Sequence, residues 1–356
     1  MKPHMQRELA TNQPKSSHAR KSAMLVHALV LVLLLISSGL VQKSAAQELR
    51  LMTWNLCGIH CYGGGSDGVP LFNRVILNAK VNPDVLAIQE VTLDQALRIA
   101  YAMGYRSRAD ILAHLHFVRC KDYKNKSIPS WYASSYGLRA SDFGEDTSAM
   151  GGYPVDFGNA VITSRRFPIK GRARWTPLAQ DPANILRGES NRMAVASIEI
   201  SQNQFVNLCS MHTPNAATQA PYAKGQADFI AQVAKGSQGN YSYVLLGDFN
   251  MDGLSLSNSW PVSNTYNILR FGFSDAWYEW QKKTGAWDWI GTTTAQLNPA
   301  RRYDYIFLDL RRKADLLEVK ALNPVILKPS EYPANFISAL YQGSDHYPVF
   351  GRVKFK

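Results

Sequence analysis

Two short segments place ionisable side chains directly beside apolar, strand-like runs. Gly247-Asp248-Phe249-Asn250 follows Val244-Leu245-Leu246, and Gly343-Ser344-Asp345-His346-Tyr347-Pro348 leads into the run Val349–Phe355. Strand ends of this kind point carboxylate and imidazole at a crevice rather than into a core. Asp, Asn and His around a divalent metal are the groups that phosphoester hydrolysis needs. Four more polar residues stand at or within apolar runs: Asn55, Glu90, His212 and Asp304, the last inside Tyr303-Asp304-Tyr305-Ile306-Phe307-Leu308. A carboxylate buried in an aromatic strand is costly without a partner. An imidazole is a natural one, and an Asp–His pair can orient and activate water. Singly, each has an ordinary structural reading: Asp304 a hydrogen-bonding carboxylate, His212 a strand-end histidine, Glu90 a helix cap, Asn55 a turn residue. Their joint occurrence in this order carries the chemical signal.

The elements that must position them are of α/β type. Residues 49–55 and 85–88 read as short buried strands. Leu71, Val75, Ile76 and Ala79 recur at helical spacing, predicting a helix up to Lys80, and residues 93–103 predict a second helix stopped by Gly104. This strand–helix–strand–helix start implies an α/β protein. Residues 106–157 read as irregular, interleaving Arg119, Lys121, Lys124 and Lys126 with Tyr123, Trp131, Tyr132 and Tyr136; a long loop of that kind is more often functional than silent. Residues 159–163, 193–200 and 205–211 read as strands, the last two joined by a hairpin turn and therefore antiparallel. A helix is expected at 217–234, and strands at 243–246, 303–308 and 349–355. No repeat or linker divides residues 47–356, so one domain is expected there.

A hydrophobic content of 46% with 11% aromatics supports a sizeable core. The formal charge is +12; residues 1–46 hold six basic residues and one acid, so +7 falls on residues 47–356. Such an excess suits a polyanionic partner, nucleic acid or an anionic lipid surface, and equally a solvated basic face. Residues 23–41 are almost continuously apolar, follow a basic stretch and precede Ser44-Ala45-Ala46. This pattern reads as a secretory signal peptide, residues 1–46, cut after Ala46, with a secreted or periplasmic domain at 47–356. The alternative is an uncleaved membrane anchor, which also leaves the domain outside the cytoplasm. Cys57, Cys61, Cys120 and Cys209 allow three complete pairings, and sequence selects none. The loop-like setting of Cys61 and Cys120 favours a bridge between them, and Cys209 in an apolar run reads as a buried thiol. No thiol or imidazole pair accompanies Cys57 and Cys61 at zinc-site spacing.

In chain order, Thr53-Trp54-Asn55, Leu86-Ala87-Ile88-Gln89-Glu90, Gly158-Asn159-Ala160, Ser210-Met211-His212-Thr213, Gly247-Asp248-Phe249-Asn250, Asp304-Tyr305-Ile306 and Ser344-Asp345-His346-Tyr347-Pro348 resemble the successive motifs of the endonuclease/exonuclease/phosphatase superfamily. It includes pancreatic-type deoxyribonuclease, abasic-site endonucleases, bacterial sphingomyelinases, inositol polyphosphate 5-phosphatases and the catalytic subunit of cytolethal distending toxin. The resemblance implies a four-layer α/β/β/α sandwich, two facing and mostly antiparallel sheets with helices outside. It implies hydrolysis of a phosphoester by in-line attack of water, with Mg²⁺ as cofactor, or Mn²⁺ or Ca²⁺ in its place. By the same resemblance Glu90 binds the metal, with Asn55 and Asp345 close to it. Asp248 and Asn250 hold the nucleophilic water and phosphate oxygens. His346, oriented by Asp304, stabilises or deprotonates that water, and His212 acts on the phosphate or leaving group. Arg192 and Asn159 contact phosphate. Cys57 stands where some abasic-site endonucleases carry a metal-binding Asp, and His212 also departs from that branch.

The first substrate expectation is nucleic acid, DNA above RNA, tracked by the basic–aromatic loop 119–136 and by Arg165, Arg166, Lys170, Arg172 and Arg174. The second is a phosphoinositide phosphatase or sphingomyelinase-like lipid phosphodiesterase, with an anionic phospholipid as partner and Trp287 and Trp289 at a membrane interface; Trp277 and Trp280 read as core. The third is a catalytically silent binding protein, against which the full set of polar positions argues. No obligate protein partner is evident.

Overall fold

Alternation along the strands sets the architecture. In β1 (Glu48–Asn55), Met52 and Trp54 pack among helices while Leu49 and Leu51 pack against a second sheet. Successive side chains of a strand point to opposite faces, so a strand covered on both sides reads as an unbroken apolar run.

The computed structural model describes residues 47–57, 69–123, 137–138, 140–143, 155–177, 191–215, 218–236, 241–251, 266–267, 269–270, 272–285, 301–309, 314–322, 330, 332–335 and 344–355. The chain divides into two units, Met1–Ala45 and Ala46–Lys356. The signal segment expected at 1–46, the loop residues Lys124 to Tyr136, and Trp287 and Trp289 lie outside the described residues. Among the described residues no helix is long and apolar enough to cross a membrane.

After β1 come α1 (Val69–Ile76), β2 (Val85–Thr92), α2 (Leu93–Ala102), α3 (Arg108–His114), β3 (Leu115–Tyr123), β4 (Val155–Thr163) and β5 (Ile169–Trp175). Then follow β6 (Met193–Ser201), β7 (Gln204–His212), α4 (Ala220–Gly236), β8 (Tyr241–Asp248), β9 (Phe273–Asp275), α5 (Ala276–Thr284), β10 (Asp304–Asp309), β11 (Ala314–Ala321) and β12 (Val349–Phe355). The described strands form two six-stranded sheets, β11-β12-β1-β2-β4-β3 and β5-β6-β7-β8-β10-β9. The central pair of each, β1/β2 and β7/β8, is parallel, and every other pairing is antiparallel.

Three apolar layers separate four structural ones. Met52, Trp54, Leu86 and Ile88 of the first sheet pack with Phe72 of α1 and Leu97 of α2. Leu51, Ala87 and Val161 meet Leu208, Leu246 and Ile306 between the sheets. Cys209, Leu245 and Phe307 pack with Ala227 and Ile230 of α4 on the outer face of the second sheet. This is the expected α/β/β/α sandwich.

The elements depart from expectation in specific ways. The first helix ends at Ile76, not Lys80: Leu77 is exposed, and the Asn78 side chain accepts from the Lys80 amide in a local turn. The stretch read as irregular contains α3 and β3, and β5, β9 and β11 were not legible. Between β6 and β7 the expected hairpin forms, with Asn203 taking a positive φ of 60° at the turn.

Candidate active site

The same alternation that builds the inter-sheet core aims polar side chains into its mouth. Leu49 and Leu51 face the core between the sheets, so Asn55 does too; Val206 and Leu208 set the parity of His212, Val244 and Leu246 that of Asp248, and Ile306 and Leu308 that of Asp304. Register brings these ends together. Asn55 pairs with Gln89, His212 with Asp248, and Asp248 with Asp304, while Thr53 pairs with Val349 just after the Asp345-His346 corner. The parallel pairs end where β10 and β12 begin.

Asn55 Nδ2 donates to Glu90 Oε1 at 3.1 Å and to Asp248 Oδ2 at 3.0 Å, tying the two sheets. Its Oδ1 accepts from the Cys57 amide at 2.9 Å. His212 Nε2 lies 3.6 Å from both Glu90 Oε1 and Asp248 Oδ2, ion-pair range rather than direct hydrogen bonds. His346 Nδ1 is 2.7 Å from Asp304 Oδ2, and its Nε2 is 3.8 Å from Asp248 Oδ2 and 4.0 Å from Asp345 Oδ1. Seven of the expected residues thus converge: Asn55, Glu90, His212, Asp248, Asp304, Asp345 and His346.

Glu90 reaches the mouth through a β-bulge. Ile88 pairs with Ala160 and Val91 with Gly158, so Gln89 and Glu90 together oppose Asn159. Glu90 adopts φ 52°, a left-handed conformation that costs a non-glycine residue about 1–2 kcal/mol and is found where function needs it. Glu90 is not the cap of the next helix: Thr92 and Gln95 form a capping box for α2.

A second polar layer lies one strand step deeper. Thr53 Oγ1 donates to Gln89 Oε1 at 3.3 Å, Gln89 Nε2 to Ser210 Oγ at 2.9 Å, and Ser210 Oγ to the Ile88 carbonyl at 3.0 Å. This crosslink spaces the sheets beneath Glu90 and His212. The corner at His346 is clamped to β1: Trp54 Nε1 donates to the His346 carbonyl (2.9 Å), Ser344 Oγ to the Asn55 carbonyl (2.7 Å), and the His346 amide to Ser344 Oγ (3.1 Å). Sequence reasoning gave no role to Thr53, Trp54, Gln89, Ser210 or Ser344. They stand one or two residues from the expected site positions, inside the quoted motifs, and that adjacency was the available signal.

The remaining expected residues are engaged differently. Asn250, with φ 47°, donates its backbone amide to Asp248 Oδ1 (2.7 Å) and its Nδ2 to the Thr213 carbonyl (2.9 Å), so its side chain binds the exit of β7. Asn159 donates to the Arg192 carbonyl at 2.7 Å and to Cys120 Sγ at 3.4 Å, and Arg192 Nη1 reaches the Arg119 carbonyl at 3.2 Å. Asn159 and Arg192 therefore form a neighbouring cluster, joined to the site through Asn191 Nδ2 on the His212 carbonyl (3.0 Å). The basic cluster is split. Arg165 is held by Asp110 at 3.3 Å beside the start of β2, the far end from Glu90, whereas β5 carries Arg172 and Arg174 towards Met193 at the site end. Trp277 is buried and Trp280 packs beside it, as expected. Cys57 is disulfide-bonded while Cys120 and Cys209 are not, so the Cys61–Cys120 bridge does not form. Burial pushes the Cys209 thiol far above the usual range.

Burial alone would drive the His346 imidazole towards neutrality. The carboxylates of Asp304, Asp248 and Asp345 outweigh it and raise the pKa to about 10. The carboxylates divide by exposure. Asp248 and Asp304 are buried, whereas the side chains of Glu90 and Asp345 are 19% and 42% exposed. Among the described residues no three His, Cys, Asp or Glu side chains form a ready metal cage. Mg²⁺ does not need one: it keeps several waters and takes one or two protein carboxylates plus phosphate oxygens. Glu90 and Asp345 fit that donor chemistry. In this geometry Asn55 turns its nitrogen to the carboxylates and its oxygen to the Cys57 amide, so it holds Glu90 in place.

The fold recurs in solved structures. An endonuclease/exonuclease/phosphatase protein from Bacteroides vulgatus aligns with TM-score 0.56 at 14% identity, covering 87% of this chain and 100% of that one. Its counterpart from Beutenbergia cavernae aligns with TM-score 0.54 at 18% identity, covering 87% and 72%. D. rerio TDP2 complexed with single-strand DNA product aligns with TM-score 0.54 at 15% identity, covering 86% and 99%. No curated protein matches the chain. A family model matches residues 52–346, from β1 to the His346 corner, and by that match the chain belongs to the Endonuclease/Exonuclease/phosphatase family.

Proposed function

We propose that this protein is a secreted, metal-dependent phosphodiesterase, an endonuclease that hydrolyses DNA phosphodiester bonds by in-line attack of water. The observation that carries the reading is one imidazole shared by two buried carboxylates, His346 between Asp304 and Asp248, at the mouth that also holds Glu90 and His212. Glu90 and Asp345 would hold the divalent cation, Mg²⁺ first among candidates. When bound, it neutralises charge building on the non-bridging phosphate oxygens.

The chain's own groups do the rest. Asp304 fixes the His346 ring through Nδ1, leaving Nε2 to hold or take a proton beside Asp248. Asp248 orients the attacking water. His212, half-exposed beside Glu90, acts on the phosphate or the leaving oxygen. DNA is favoured by the +7 charge of residues 47–356, by Arg172 and Arg174 climbing towards the site, and by the DNA product bound in the TDP2 relative. The deciding assay offers plasmid DNA, RNA, sphingomyelin vesicles and phosphoinositides to the protein with Mg²⁺ and with EDTA, beside a His346→Ala control. Mg²⁺-dependent nicking of DNA that the control lacks supports the reading. Release of phosphate or phosphocholine without nicking moves the substrate to lipid. Secretion is tested by N-terminal sequencing of the exported protein, with Gln47 as the expected first residue.

A further inference from the structure

Two residues ahead of Asp304 stands a buried ion pair. Arg302, its side chain 6% exposed, places Nη1 3.3 Å from Asp275 Oδ1 and Nη2 2.9 Å from Asp275 Oδ2. Asp275 also caps α5 through the Trp277 amide (3.0 Å) and accepts from the Tyr266 hydroxyl (2.6 Å). The Arg302 guanidinium lies 4.4 Å from the centroid of the Tyr305 ring. Tyr305 Oη donates to the Met251 carbonyl at 2.8 Å, and the Phe249 amide donates to the Tyr303 carbonyl at 2.9 Å. These contacts lock residues 302–305 to the segment that carries Asp248 and Asn250.

Near the pair, the ladder support described for the start of β10 comes from β8. β9 pairs with β10 from Phe307 to Asp309, whereas Asp304, Tyr305 and Ile306 have β8 as their described ladder neighbour. The Arg302–Asp275 pair, Trp277 and Asp304 line a common cavity of about 10 Å³. Taking both charges of a pair out of water is costly, and apolar residues of the same volume hold a fold as well or better. Stability alone is therefore a weak account of this pair.

We infer that the Arg302–Asp275 ion pair is a positioning device for Asp304, fixing the backbone from which its carboxylate meets His346 Nδ1. Its catalytic consequence rests on the phosphodiesterase reading; its geometric consequence does not. The test is Arg302→Lys, which keeps the charge and loses the two-point grip. One readout is kcat and KM on plasmid DNA. The other is the downfield proton NMR signal of the His346 Nδ1–H, assigned by its loss in Asp304→Asn. We expect kcat to fall about tenfold to a hundredfold with KM little changed, and the imidazole signal to shift or broaden. Adding Arg302→Lys to Asp304→Asn should cost no further kcat. A lower melting temperature with kcat and the signal unchanged, or additive losses in the double variant, overturns the inference. Should Arg302→Lys fail to fold, Arg302→Met with Asp275→Leu replaces the pair by apolar volume and is judged by the same readouts. A wild-type protein inactive on every substrate removes the functional reading, and the imidazole signal alone then decides the positioning role.

Discussion

Asp248 and Asp304 face each other in register across β8 and β10, and one imidazole contacts both: His346 Nδ1 is 2.7 Å from Asp304 and Nε2 is 3.8 Å from Asp248. The two ring nitrogens therefore have different surroundings. Nδ1 is held in a buried hydrogen bond, and Nε2 looks towards the mouth of the sandwich.

Asp304→Asn keeps the size of this partner and removes its charge. We expect turnover to fall by about 10²–10⁴, the range of general acid–base contributions. Cation affinity should stay near wild type, because Glu90 and Asp345 are untouched. Steady-state kinetics and calorimetric Mg²⁺ titration check both halves, and near-normal turnover would refute the role of Asp304.

Asn55→Asp places a third carboxylate where an amide now donates to Glu90 and Asp248. Without cation the variant should lose about 2–3 kcal/mol, two charge-assisted hydrogen bonds being replaced by repulsion. Much of that should return with added Mg²⁺. Urea unfolding in EDTA and in Mg²⁺ measures the difference, and equal losses in both would show that the cation does not sit beside Asn55.

His116 makes stability pH-dependent. It is buried, and its Nε2–H donates across the seam to the Ala173 carbonyl at 2.9 Å. Burial lowers its pKa from 6.5 to about 4. The unfolded chain therefore takes up the proton first. The neutral ring's contribution is complete above about pH 6.5 and is lost as pH falls towards 4, by on the order of 3 kcal/mol. His116→Gln, which still donates an amide hydrogen, should remove this slope. Unfolding free energies of both proteins at pH 4.5 and 7 give the comparison, and parallel pH profiles would exclude His116 as the source.

Gly247 precedes Asp248 where β7 and β8 run parallel, and a Cβ there would lie 1.9 Å from the Met211 carbonyl oxygen. Gly247→Ala must push the strands apart, at a cost of about 3 kcal/mol or more. It should also displace Asp248 from His212, so activity falls in whatever fraction still folds. Urea midpoints and specific activity read the two effects.

The sequence by itself determined the central strands and the ionisable set. β1, β2, β7, β8 and β10 are covered on both faces over most of their length, and β12 over Val349–Gly351, so their apolar runs are nearly unbroken there, and the polar residues that end them stand out. The strands it hid, β3, β5, β9 and β11, are the four outer strands of the two sheets. An outer strand has one ladder neighbour and less cover; β5 exposes Lys170, Arg172 and Arg174, and β3 is interrupted by His116 and Arg119. Only the tertiary structure decided which polar residues meet. The bulge that turns Glu90 into the seam, the swing of the Asn159 and Asn250 amides onto backbone carbonyls, and the Arg302–Asp275 pair behind Asp304 all depend on register between segments far apart in the chain. A strand pattern encodes the face each residue takes; which neighbour it finds there is set when two sheets close on one another.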